Sequence, residues 1–313
     1  MKKMIVSWMR YAVGEGLTKA TNSTFAKFIG SLSGSLGFIV FVTFAVSVIQ
    51  MLGGLVGNLS YRKDNLFPGI KAILGSALFG TIAFAMTVIG IFRFTYEDAD
   101  LGIATFIVLF SIFPGTLFDW LFFKNNFNIR QWFGAGIFLL SGYAVLNFPA
   151  FEALLSLPPW VWLSAIIALL LAVNELITRL ISSSLKTNPL VYNFWVGLFT
   201  VFIAIIYLTI MNQWHSVAEL SPKIFFISVI MGIVIFVMIS FKFLSYKVGG
   251  TIASKKIIMQ GTYLITAMIA GLIFFNEPFT LGKVIGILGF FTAFSLINNE
   301  VWQVVKIKLL KSN

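Results

Sequence analysis

Apolar residues in this chain come in long unbroken runs rather than in the polar–apolar alternation of a half-buried strand. Uncharged runs cover residues 28–61, 72–92, 101–118, 131–151, 153–174, 187–218, 224–241, 257–276 and 284–299. Each can supply a helix near the ~20 residues that cross a bilayer core. Barrel strands would need only about ten residues, with a polar side chain at every second position. The runs therefore predict a helical bundle, in which each backbone satisfies its own hydrogen bonds in lipid. Composition agrees: 59% of residues are hydrophobic and 11% charged, and the mean hydropathy is +0.97. Those values lie outside the range of soluble domains.

Residues 1–27 are more polar, with Arg10, Glu15 and Lys19, and no secretory leader pattern precedes them. An internal repeat decides how to read them. AVGEGLTK (12–19) aligns with AVNELITR (172–179), GTIAFAM (80–86) with GIVIFVM (232–238) and FRF (92–94) with FKF (241–243). GIAT (102–105) likewise meets TIAS (251–254), and FFKNNFN (122–128) meets FFNEPFT (274–280). The matches keep their order at offsets of about 150–160 residues, which predicts a duplicated unit. Residues 4–24 then become the first crossing. The expectation is an all-α membrane protein of ten transmembrane helices, five in residues 1–150 and five, plus a basic tail, in 151–313. An odd number of crossings per unit inverts the second half relative to the first, the arrangement of many secondary transporters with a substrate site between the halves.

Lysines and arginines fall mostly on one side of this topology, in segments such as RKDN (62–65), Lys71, Arg130 and KIKLLK (306–311), whereas YEDAD (96–100), Glu152 and Glu219 fall on the other. The positive-inside bias puts both termini in the cytoplasm of a multi-pass protein of the cell's inner membrane. Trp8, Trp120, Trp132, Trp160, Trp162, Trp214 and Trp302 sit near expected helix ends, as an interfacial belt requires. Anionic lipid headgroups account for the net charge of +11, so no nucleic-acid partner is expected.

FFNEPFTLGKVIGILGFFTAF (274–294) resembles the signature that closes each repeat of the drug/metabolite transporter superfamily: an apolar helix, a Glu-containing turn and a Gly-bearing helix. FSIFPGTLFDWLFFKNNFNIRQWFGAGIFLLSGYAVL (110–146) is similar to the first-repeat copy, with Pro114, Gly134, Gly136 and Gly142 in step. Departures are Asn125 where the turn's acid would be and Tyr263 near an expected proline. The resemblance implies a ten-helix, EamA-type carrier of small metabolites, and by analogy export.

The candidate site residues follow from the cost of charge in lipid. Glu15 and Lys19, and Glu175 and Arg179, are four residues apart and share helix faces. A charge near the bilayer centre costs at least ~2.5–3.5 kcal/mol unless it faces the bundle interior. Snorkelling near a helix end is the competing reading. Lys256, Gln260 and Tyr263 form a second polar stripe at i, i+4 and i+7. Trp195 lies away from the interfacial belt with Tyr192 three residues before it, a ring pair able to hold an amine or simply to fill the core.

Several chemistries drop out. There is no Cys and a single His, His215, so thiol chemistry and a His cluster for metal are excluded. No GxxxxGK[ST] loop occurs, so energy would come from a gradient, with Glu15 and Glu175 as candidate acceptors of a coupling proton because burial penalises a carboxylate's charge. The expected function is secondary transport, by alternating access, of small polar metabolites such as amino acids. No cofactor is expected and no enzyme activity, since the sequence offers no nucleophile–base set. The expected partners are the small-molecule substrate and membrane lipid, and the expected assembly is a monomer or homodimer. An organic-anion, organophosphate or nucleotide-sugar exchanger using Lys255 and Lys256, or a lipid-linked head-group flippase, is the alternative.

Overall fold

The computed structural model describes residues 2–32, 34–124, 128–147, 156–184, 187–219, 221–249 and 252–297. Five features of the sequence reading, the boundary near residue 150, Asn125, Glu152, Trp302 and the tail 306–311, lie outside them. Among the described residues the chain is all-helical: α1 (Lys2–Gly30), α2 (Leu36–Gly57), α3 (Ile70–Phe92), α4 (Leu101–Leu109), α5 (Ile112–Phe123), α6 (Ile129–Val145), α7 (Pro159–Ser184), α8 (Pro189–Ile210), α9 (Pro222–Lys247), α10 (Ile252–Phe275) and α11 (Leu281–Ile297).

Local chemistry sets many of the boundaries. The Ser35, Asp100, Asn128, Asn188 and Ser221 side chains accept hydrogen bonds from the first free amides of α2, α4, α6, α8 and α9. Pro189 and Pro222 open α8 and α9 where the missing N–H costs nothing. The break between α4 and α5 is the work of Pro114, which has no amide to offer the Phe110 carbonyl one turn earlier. Phe113 N–H bonds that carbonyl in tight-turn geometry instead, at 3.0 Å.

Among the described residues, seven helical segments are long and apolar enough to cross a membrane: Leu36–Arg62, Ile70–Thr95, Leu101–Phe122, Pro159–Ser182, Pro189–Ile210, Pro222–Lys247 and Ile258–Phe275. The α4–α5 pair counts here as one broken span. Helix α1 is long enough, with 29 residues, but carries charge. Helices α6 and α11 have 17 residues each, or about 25 Å at 1.5 Å per residue.

Polarity is distributed as a lipid solvent demands. Leu74, Leu140, Phe202, Phe226 and Ile273 stand on the surface, while Thr43, Ser47, Gln50, Asn193 and a set of charged residues are buried. A contiguous apolar surface of this kind is foreign to a soluble monomer. Inside, polar groups meet across helices, as Gln50 Nε2 meets Asn193 Oδ1 at 3.1 Å between α2 and α8. Helix α2 packs on α8 and α6 on α11; α1 lies against α9 and α10, and α7 against α3 and α4.

Candidate functional site

A cavity of about 100 Å³ opens at the centre of the bundle, several times the ~10–15 Å³ that a single water needs. Helices α1, α3, α7 and α9 supply its walls, with Val108 of α4 and Tyr263 of α10. Much of the lining is apolar, including Phe79, Met86, Leu171, Met231 and Ile235. Its polar members are Glu15, Lys19, Asn22, Ser23, Thr87, Arg93, Asn174, Lys242 and Tyr263.

Two glycines explain how Glu15 reaches the middle. A side chain at Gly14 would strike the Phe241 ring of α9, with a Cβ contact of 2.7 Å, and one at Gly16 would lie 2.5 Å from the Met259 carbonyl oxygen of α10. Flanked by them, Glu15 sits where α1 touches both neighbours, and it is buried, at 1% exposure. Lys255 Nζ lies 2.8 Å from Glu15 Oε2 and 2.8 Å from Glu175 Oε2. Lys242 Nζ lies 3.2 Å from Glu175 Oε1 and donates to Asn174 Oδ1 at 2.6 Å. Tyr246 donates its hydroxyl hydrogen to Glu175, and its ring lies 4.2 Å below the Lys255 ammonium. Glu15, Glu175, Lys242 and Lys255 thus form a quartet of two carboxylates and two cations that ties α1, α7, α9 and α10 together.

Both acids pair with lysines of other helices, Glu15 with Lys255 and Glu175 with Lys242 and Lys255. Glu15 and Lys19 do share a face, since both line the cavity, but Glu15 pairs with Lys255. Arg179, half-buried, is not among the cavity's lining residues. The Lys256–Gln260–Tyr263 stripe divides. Lys256 Nζ donates to the Ser111 carbonyl at 2.6 Å and Gln260 Nε2 to Ser111 Oγ at 2.8 Å, so these two clasp the α4–α5 break. Tyr263 faces the cavity, its hydroxyl 2.7 Å from Ser23 Oγ and its ring 4.8 Å from Lys19 Nζ.

Tyr192 and Trp195 do not form a ring pair. Tyr192 is fully buried between Phe79 and Phe243, with centroids 5.3 and 5.2 Å away, and fills the core. Trp195 stacks on Phe199 and donates to the Leu66 carbonyl at 2.6 Å, bracing the turn before α3.

A second ionic network lies at the other end of α10. Glu277, in the α10–α11 turn, accepts from Lys27 at 2.6 Å and from the Leu101 and Gly102 amides at 2.5 and 3.3 Å. The carboxylate therefore sits on the N-terminus of α4, where exposed amides and the helix dipole favour negative charge. Lys283 Nζ joins Asp100 Oδ2 at 2.5 Å and Glu277 Oε2 at 3.7 Å. The last turn of α1, the start of α4 and the α10–α11 turn are thereby sewn together. Sequence reasoning noticed the Glu-containing turn but not its partners. Lys242, Asn174 and Tyr246 were missed too, although the FRF/FKF match pairs Lys242 with another buried cation of the cavity, Arg93.

No family model matches the chain, and no curated protein matches it. A solved structure described as a crystal structure of protein shares the fold, with a TM-score of 0.62 over 92% of this chain and 96% of its own at 13% identity.

Proposed function

We propose that the chain is a secondary transporter of the drug/metabolite type: ten crossings in two inverted five-helix repeats, moving a small metabolite by alternating access across the inner membrane. The observation that carries this reading is a central cavity, lined by charged side chains, between two ion networks at opposite ends of α10. With 24 residues, that helix is about 36 Å long. Breaking one network while the other holds would open the cavity to one side at a time.

Helix packing supports the repeat. With α4–α5 counted as one broken helix, exchanging the first five helices for the second five turns α1 on α9 into α7 on α3, and α1 on α10 into α7 on α4; α2 on α8 and α6 on α11 map onto themselves. The turns matched as FFKNNFN and FFNEPFT both hold a non-glycine residue at positive φ, Lys124 at 54° and Asn276 at 51°. Export and cytoplasmic termini are part of the proposal on the family resemblance and the positive-inside bias. A proton taken up by Glu15 would cancel its attraction to Lys255 and loosen α1 from α10, a route by which a gradient can drive the cycle.

The native chain has no Cys, so single cysteines report topology directly. Equivalent turns after α2 and α8, at Asn65 and Asn212, should react with an impermeant maleimide from opposite faces. Labelling of both from one face would end the inverted-repeat reading. Reconstituted protein should then exchange a radiolabelled metabolite across proteoliposomes, and a panel giving no counterflow would remove the carrier assignment.

A further inference from the structure

Among the described residues, two cations in the cavity have no carboxylate within ion-pair distance. The quartet balances itself, two acids against Lys242 and Lys255. Lys19 and Arg93 remain. Lys19 is 9% exposed and its Nζ has no hydrogen-bond partner among the described residues, only the face of Tyr263 at 4.8 Å. Arg93 is 3% exposed and stacks on Phe94 at 4.5 Å. Its Nη1 donates to Ser164 Oγ at 3.1 Å, Tyr263 is a further neighbour, and its Nε has no partner.

Of the other acids described near that end, Glu97 is exposed at the surface and the rest are engaged elsewhere. Asp98 accepts from Trp160 Nε1 at 3.0 Å, and Asp100 and Glu277 hold Lys283 and Lys27. Buried charges in a membrane protein are retained where they pair or where they meet a ligand. Both surplus cations line the cavity and both neighbour the same phenol, so they converge on one volume.

We propose that Lys19 and Arg93 form an anion-binding site in the central cavity, so that the cargo is a small organic anion with a carboxylate or phosphate head and a short apolar body. This rests on the transporter reading above. It favours an anion over the zwitterion expected from the two acidic side chains, because both carboxylates already hold lysines and have no charge left for an ammonium group. The guanidinium offers its free N–H and the ammonium its three donors to one head group, and Phe79, Met86 and Leu171 accept the apolar body.

A series with short bodies of three or four carbons and different heads tests this by calorimetric titration of the purified protein: butyrate, butyl phosphate, norvaline, butylamine and butanol. Butyrate or butyl phosphate should bind at least ~10-fold tighter than the amine, the alcohol or the zwitterion, and whichever anion binds more tightly identifies the head group. Lys19→Met and Arg93→Met should each weaken that binding about 10-fold or more, with Lys19→Arg staying within about threefold of the native protein. The two separate Met variants, checked by gel filtration, keep the test alive if one fails to fold. Norvaline or butylamine binding as tightly as the anions would overturn the proposal, as would native affinity in both Met variants or no binding by any of the five. Counterflow in proteoliposomes separates the two ideas. Anion binding lost in Lys19→Met without any counterflow would leave the site standing and remove the carrier, whereas norvaline counterflow indifferent to Lys19→Met would do the reverse.

Discussion

Removing Lys255 should cost more than removing Lys255 together with one of its acids. Its ammonium lies 2.8 Å from a carboxylate oxygen on each side, and each attraction is about 6 kcal/mol gross at an effective dielectric constant of about 20. The two oxygens are therefore no more than twice 2.8 Å apart, and without the lysine they repel by at least ~3 kcal/mol on the same footing. Glu175 keeps Lys242 and Tyr246, but Glu15 has no other ion-pair partner among the described residues. After desolvation is counted, breaking a buried pair from one side costs about 3–5 kcal/mol. Lys255→Met should therefore lower the unfolding midpoint in detergent by roughly 10 °C, at ~2–4 °C per kcal/mol. Adding Glu15→Gln to Lys255→Met should raise the midpoint again, because the repulsion disappears with the charge. Glu15→Gln alone should be milder than Lys255→Met, since Lys255 keeps Glu175. The reasoning is refuted if the double variant is less stable than Lys255→Met by the full cost of Glu15→Gln, the additive result of sites that do not interact.

Two further outcomes follow from the packing. Glu277→Gln removes the charge that holds Lys27 and caps α4, so it should cost about 1.5–3 kcal/mol; hydrogen exchange at the Leu101 and Gly102 amides should speed up, and unchanged protection there would mean that Glu277 does not cap α4. Gly16→Leu puts a Cβ 2.5 Å from the Met259 carbonyl oxygen and should destabilise the protein by roughly 1–3 kcal/mol or more. A Gly16→Leu protein with the native melting temperature would mean that α1 and α10 are not this close.

The helices themselves were legible because lipid imposes one simple rule, and long apolar runs obey it. The burial of Glu15 and Glu175 was legible for the same reason, since a carboxylate in the middle of such a run has nowhere to go but inward. Their partners were not. Lys242 ends an apolar run in sequence and reads as an interfacial anchor, whereas α9 continues to Lys247 and buries it. Lys255 met no rule that would assign it a side. Helical spacing also put Tyr192 beside Trp195, but a shared face does not specify neighbours: Phe79 and Phe243 claim one ring, Phe67 and Phe199 the other. Spacing along one helix gives a shared face; which charges pair is decided by the packing between helices.

The equal count of carboxylates and ammonium groups in the quartet has an electrical meaning. A transmembrane potential does work on net charge, about 2.3 kcal/mol per elementary charge for each 100 mV. A cluster that sums to zero can shift through that field without exchanging work with it, so the strongest tie between α1, α7, α9 and α10 holds equally well in an energised and a depolarised membrane. Lys19 and Arg93 lack that immunity. In the empty bundle they are the charges through which voltage acts on the cavity, and a doubly charged anion seated between them would switch that sensitivity off.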